Sequence, residues 1–332
     1  MGGQDPPAFE TPAPKTLGLR HAHPVWLVEA FAQALAARGR PPQELADLLA
    51  ADNVAPEVTL VARPGRCTQA ELVDAGARPG RWSPFAAVWP SGDPGALAAV
   101  RDHRAGVQDE GSQLVTAALV AAPLTPPTGA ERWLDMCAGP GGKAALLAAL
   151  AQQQDASLQA WELLPHRARL VKQAVGAGVE VRVVDAGDPQ RVSEASGGFD
   201  RVLLDAPCSG AGALRRRPEA RWRKQPQDLT DLVAGQRRLL QNALRLVRPG
   251  GVVAYVTCSP LLVETSAVVD AVLAEHKADV NSDVNAVVRV DARALLPGLP
   301  PDVGAGPDVQ LWPHLHGTDA MYLSLLRPDN GP

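Results

Sequence analysis

The sequence predicts an α/β fold: an open, mostly parallel sheet with helices on both faces, preceded by a small α+β subdomain. Three observations carry this expectation. From about residue 106, short runs rich in β-branched residues alternate with helical patterns and glycine turns, and such alternation needs crossover helices and therefore parallel pairing. Ahead of that point, two helical patterns lead into a single strand pattern. The chain has 332 residues, 46% hydrophobic and 20% charged, which is enough apolar material for one large or two modest soluble domains.

Taken in order, residues 1–18 combine Gly, Pro and Thr with few apolar side chains, too little to bury against the entropy of ordering, and are expected to form a flexible tail. Within 19–105, Val25, Leu27, Phe31 and Leu35 mark one helix, a Pro-started helix follows through Leu45 and Leu49, and a strand is expected at 58–61. Within 106–332, β-rich runs fall at 133–137, 158–162, 179–184, 199–205 and 251–257. The longest helix is expected at 229–247, with Leu229, Leu232, Val233, Gln236, Leu239, Leu240, Ala243, Leu246 and Val247 on one side, stopped by Arg248-Pro249-Gly250-Gly251. There is no internal repeat. No run reaches the roughly 18 apolar residues of a membrane span, the nearest being 114–124, and no apolar signal region opens the chain. The expectation is a cytoplasmic protein with no membrane partner.

Four cysteines, Cys67, Cys137, Cys208 and Cys258, lie far apart with no C-x-x-C spacing. That excludes a zinc-ligand pattern and a secreted disulfide framework, so free thiols and no metal are expected. A formal net charge of −4 means that any nucleic acid would be held by a local patch. Arg215, Arg216, Arg217, Arg221, Arg223 and Lys224 supply one candidate, interrupted by Pro218, Glu219, Ala220 and Trp222. Alone, such a run reads more readily as a solvated face or a set of internal ion pairs.

The first chemical signal is Leu134-Asp135-Met136-Cys137-Ala138-Gly139-Pro140-Gly141-Gly142-Lys143, between an apolar strand and an Ala/Leu helix reaching about Leu150. Glycines let a backbone approach a ligand, and a helix N-terminus behind them offers free N–H groups. Twenty residues past Gly142, Glu162 ends the second strand, where nucleotide-binding α/β folds place an acid for ribose hydroxyls. An adenosine-type ligand fits both features. The triphosphate pattern fails, because Cys137 stands where its first glycine is needed and Ala144 where its magnesium hydroxyl is needed. The dinucleotide pattern fails as well, because Ala144 follows Gly139-Pro140-Gly141 at the third glycine position.

Two thiols close the constellation. Asp205-Ala206-Pro207-Cys208-Ser209-Gly210 follows the fourth strand, and Val256-Thr257-Cys258-Ser259-Pro260 follows the fifth, on the rim where ligands bind in open α/β sheets. A lone cysteine is usually a small buried hydrophobe; a pair placed beside Asp205 points to chemistry. Cytosine C5 is too electron-poor to attack a methyl sulfonium, but a thiolate adding to C6 makes C5 nucleophilic. Asp205 suits the N3/N4 edge of such a base, and a second thiol suits release of the product.

These motifs resemble the Sun/RsmB family of RNA cytosine-C5 methyltransferases over nearly all of 21–328. The resemblance implies a Rossmann-like class I methyltransferase fold, S-adenosyl-L-methionine as cofactor, and RNA as partner, with small-subunit ribosomal RNA favoured over transfer RNA. It implies an RNA-binding role for the 19–105 subdomain and methyl transfer in 106–332. The cofactor loop becomes Cys137, Ala138, Gly139, Pro140, Gly141, Gly142 and Lys143; Glu162 the ribose acid; Asp185 the adenine-side acid; Asp205 the residue closing the cofactor and base site. Cys258 of the Thr-Cys-Ser motif becomes the nucleophile and Cys208 the releasing thiol. The segments 107–113, 215–222 and 317–322 also resemble family stretches, which turns Arg215, Arg216, Arg217 and Arg221 into expected RNA contacts.

The departures are a missing counterpart to the NusB-like helical domain of many bacterial members, Glu264-Thr265-Ser266 in place of Glu-Asn-Glu, and a poor match at 59–63. They fall outside the chemical motifs. Among rival readings, a DNA cytosine methyltransferase would use the Pro-Cys cysteine and need no Thr-Cys-Ser motif. A non-catalytic RNA scaffold would be expected to lose a thiol or the glycine loop, and a nicotinamide oxidoreductase has its own glycine pattern and no use for paired thiols.

Overall fold

The computed structural model describes residues 13–195, 198–278, 286–296, 298–299, 303–304 and 306–329. Residues 1–12 of the expected tail lie outside the described residues, but its remainder does not stay unstructured. Helix α1 (Pro14–His21) starts with proline in its first turn and closes on left-handed Ala22. Composition hid this helix because one fully buried side chain, Leu17, anchors it.

Helices α2 (Val25–Ala37) and α3 (Glu44–Ala51) follow α1. Then come β1 (Val58–Ala62), α4 (Gln69–Asp74), β2 (Arg78–Pro79), β3 (Ala86–Trp89), α5 (Ala98–Arg101) and β4 (Ala105–Val107). The strands form an antiparallel sheet in the order β2-β3-β1-β4, with Leu60, Leu72, Ala87 and Ala105 in its core. Helices α1–α3 pack elsewhere: Leu17, Phe31, Leu45 and Leu49 share a core with Ala211, Leu214, Leu261 and Trp312.

The second half runs through α6 (Glu110–Ala121), β5 (Arg132–Asp135), α7 (Gly142–Gln153), β6 (Ser157–Glu162), α8 (Pro165–Val175), β7 (Glu180–Val183), α9 (Pro189–Ala195) and β8 (Phe199–Asp205). It continues through α10 (Ala220–Arg223), α11 (Asp228–Leu246), β9 (Val247–Thr257), α12 (Ser266–Ala278), β10 (Val287–Val290), β11 (Val309–Gln310), α13 (Pro313–His316) and β12 (Tyr322–Pro328). The sheet order is β10-β12-β9-β8-β5-β6-β7, with β11 beside β12. The pairs among β5–β9 are parallel, as the sequence rhythm predicts, whereas β10, β11 and β12 add antiparallel pairs. Helices α6, α7 and α8 cover one face and α9, α11 and α12 the other.

The chain starts this sheet at β5, builds outward through β6 and β7, then returns to place β8 on the other side of β5. Loops leaving β5 and β8 diverge there, and the crevice at such a switch point is where open α/β sheets bind ligands. One boundary differs from expectation. The Arg248-Pro249-Gly250-Gly251 segment does not separate helix from strand: β9 already begins at Val247, with a register shift opposite Phe199 and Arg201. Arg248 Nε donates to Asp200 Oδ1 at 2.6 Å, so an irregular strand start absorbs the turn residues. Among the described residues, no helix is long and apolar enough to cross a membrane.

Candidate active site

Strand β5 ends at Asp135, and the glycine loop carries the chain to α7. Gly141 has φ +116°, open to glycine at little cost. Gly139 is required by a close approach: a Cβ there would lie 2.1 Å from Glu162 Oε2. That oxygen accepts the Gly139 N–H at 3.0 Å, and Oε1 accepts the Leu164 N–H at 3.0 Å. Arg167 donates to the Gly139 carbonyl at 2.5 Å. Glu162 is thus fixed at the end of β6, against the loop it was expected to accompany.

Beneath the loop, Asp135 is fully buried, and among the described residues neither carboxylate oxygen has a hydrogen-bond partner. Burial, reinforced by the Asp205 charge, pushes its carboxyl up to about 8. Lys143 Nζ donates to Asp205 Oδ2 at 2.7 Å. Burial works against the Lys143 charge, but Asp205 outweighs it, helped by the Cys258 sulfur and Asp135, and keeps the ammonium protonated. Burial pushes the Cys137 thiol up, and the Asp135 and Asp205 charges add to it. The Ala138 N–H donates to Trp161 O at 2.9 Å, Pro140 is exposed, and the exposed Asp185 accepts the Gly187 N–H at 2.8 Å.

The two thiols meet, with Cys208 Sγ 3.3 Å from Cys258 Sγ. The hydrogen bond to Cys258 and then burial push Cys208 well up, so it is a neutral thiol. A cavity of about 820 Å³ joins these groups, with Gly139, Lys143, Glu162, Asp185, Asp205, Cys208 and Cys258 in its wall. Its size lies within the roughly 300–1,000 Å³ of small-molecule sites. Among the described residues, no cluster of three or more His, Cys, Asp or Glu is arranged to hold a metal.

The basic run does not act as one patch. Arg221 is 3% exposed and donates to the carbonyls of His21, Ala22 and Asp52 and to Asn53 Oδ1, which corrects its expected place at an RNA surface. The Arg215 guanidinium is held between Asp109 and Asp319. Arg216 bridges the same two acids at 2.8 and 2.9 Å but also lines the cavity. Arg217 and Arg223 are exposed and line it too, with Lys224 and Arg238.

Two site carboxylates escaped the sequence reading. Asp135 was visible only as the residue before the glycine loop, and nothing in the pattern announces an unpartnered burial. Glu264 lay in a stretch set aside as remote from the chemistry. It is completely buried and accepts hydrogen bonds from Ser209 N at 2.7 Å, Ser209 Oγ at 2.5 Å and Ser259 Oγ at 2.7 Å.

A sequence model described as 16S rRNA methyltransferase RsmB/F matches residues 122–327. The protein Rv1407 of Mycobacterium tuberculosis, a methyltransferase by name, is 53% identical over 92% of this chain and 64% of its own length. This chain therefore spans just under two thirds of that relative. A Bacillus subtilis protein named for ribosomal RNA small subunit methyltransferase B is 30% identical over 96% of this chain and 69% of its own. Among solved structures, NSun6 from Pyrococcus horikoshii with SFG superposes with a TM-score of 0.74 at 16% identity, over 93% of this chain and 99% of that one. At that identity the likeness speaks for the fold.

Proposed function

Since the chain belongs to the 16S rRNA methyltransferase RsmB/F family, we propose that it methylates C5 of a cytosine in RNA, of the small-subunit ribosomal class, through a covalent bond between Cys258 and C6. The observation that carries this reading is the pair of thiols 3.3 Å apart, facing one cavity with the glycine loop and Glu162.

S-adenosyl-L-methionine fits that cavity and would supply the methyl electrophile when bound. Glu162 would accept from ribose hydroxyls, Asp185 would serve the adenine side, and the loop from Cys137 to Lys143 would hold the rest. Cys258 adds to C6 as its thiolate, the form of cysteine that attacks. Asp205, fixed by Lys143, receives the N3/N4 edge. The C5 proton leaves after methyl transfer, and Cys208 is the residue for it. It lies 3.3 Å from the Cys258 sulfur, on the side where the Cys258–C6 bond breaks as the C5 proton departs.

The test separates the thiols. Cys208→Ala, incubated with cofactor and a cytidine-containing single-stranded RNA of the small-subunit class, should give a slow-migrating protein–RNA band on a denaturing gel. Cys258→Ala and the double variant should give none. An adduct in Cys258→Ala would make Cys208 the nucleophile and overturn the assignment.

A further inference from the structure

Glu264 ends the 3₁₀ turn after β9, and among the described residues it forms no ion pair. Its partners instead come from both cysteine loops. Ser209 immediately follows Cys208 and gives Glu264 its backbone N–H and its hydroxyl; Ser259 immediately follows Cys258 and gives its hydroxyl. A third anchor comes from α11, where Gln236 Nε2 donates to Glu264 Oε1 at 3.1 Å and to Pro207 O at 2.9 Å. The Tyr255 hydroxyl donates to the Glu264 carbonyl at 2.8 Å. A buried carboxylate survives only if its lone pairs are satisfied, and here each donor lies next to a thiol or on the helix behind it.

We infer that Glu264 is a positioning residue whose carboxylate ties the loop after β8 to the loop after β9 and so holds the two thiols within reacting distance. Beside it, Ala206 N to Val256 O fixes the loops at their base and Gly212 N to Cys258 O ties them once more past Cys208, each 2.9 Å, so that Glu264 supplies the side-chain tie at the residues that directly follow the two thiols. Behind the Cys258 hydrogen bond, burial and the Cys258 charge, the Glu264 charge also opposes a second anion at Cys208. The consequence for turnover rests on the roles proposed above for the thiols; the geometric claim does not.

The test therefore begins with geometry, in the full chain, by treating the thiols with an azodicarboxamide. The two thiols give up two protons and two electrons, the N=N bond is reduced to the hydrazine, and a Cys208–Cys258 disulfide forms, read by peptide mass. Glu264→Ala should form it about tenfold more slowly or worse, the scale on which small misplacements act. Glu264→Gln keeps the shape and one acceptor, and the serine hydroxyls can turn to accept from its amide, so it should cross-link much faster than the alanine variant. With RNA and cofactor, kcat should fall in the same order with KM unchanged. Cross-linking of Glu264→Ala at the parental rate overturns the inference whether or not methyl transfer is found, and so does a loss that follows melting temperature in place of thiol geometry. A parental chain without methyl transfer overturns the proposed function and leaves the cross-linking result to decide on Glu264. If the alanine variant does not fold, Ser209→Ala/Ser259→Ala removes the hydroxyl donors and should slow cross-linking likewise; a parental rate there overturns the inference.

Discussion

Asp135 and Glu264 are both carboxylates buried beside the reacting groups, and the protein treats them in opposite ways. Glu264 is wrapped in donors from three elements, whereas Asp135 has no hydrogen-bond partner among the described residues. An unsatisfied buried carboxyl lowers its cost by staying protonated, in keeping with the rise of Asp135 to about 8. An unfolded aspartate ionises near 4. Between those values the folded state binds the extra proton, so the contribution of Asp135 to stability falls as pH rises through about 4 to 8 and is level above. Asp135→Asn should remove this slope. Urea midpoints at pH 5 and pH 8 should show the parental chain losing ground to the variant by about 1 kcal/mol per pH unit. A pH-independent difference would mean that the carboxyl is ionised and satisfied. None of this was legible in the sequence, where Asp135 is simply the acid before a glycine loop. Glu162, by contrast, was legible, because its distance from the loop follows from the length of one helix and one strand.

At the scale of elements, the five parallel strands were readable because each is a short β-rich run followed by a helical pattern. The β12 run Tyr322–Pro328 carries the same kind of residues but has no crossover helix to announce its direction, and it enters antiparallel beside β9. The arginine run shows a different limit. Composition reports six cations within ten residues, yet orientation belongs to the backbone: successive residues of α10 point about 100° apart, which sends Arg221 inward and leaves Trp222 57% exposed. Arg217 and Arg223 are the better candidates for phosphate contacts. Replacing both by alanine should lower RNA affinity and reduce the slope of log affinity against log salt by about 1.5, at roughly 0.7–0.9 per contact. Arg221→Ala should keep the parental salt slope and cost about 2 kcal/mol or more in urea, because buried carbonyls lose their donor. The reverse pattern would put Arg221 at the RNA surface.

At the scale of the molecule, the sequence divides near residue 105, where the rhythm changes, whereas β4 of the first sheet crosses that point and runs to Val107. The cores do not respect the division either. Helices α1–α3 form one core with Ala211 and Leu214 from the loop after β8, Leu261 from the loop after β9, and Trp312. Arg221 adds a polar tie by holding the carbonyls at the ends of α1 and α3, and His314 of α13 reaches Glu44 of α3 at 3.1 Å. The N-terminal helices thus buttress the two segments that carry Cys208 and Cys258. Periodicity along a chain reports which face of an element is apolar but not which distant loop will cover it, so this sharing was invisible before the fold. It leads to a prediction about the catalytic half alone. A chain beginning at residue 106 would expose Leu214, Leu261 and Trp312, each losing burial worth about 1.5–3 kcal/mol, and would strand the Arg221 guanidinium. That fragment should bind a hydrophobic dye, lose near-ultraviolet dichroism and unfold without a sharp transition. One cooperative transition in the 106–332 fragment at the parental midpoint would show that the N-terminal helices are dispensable to the loops they cover.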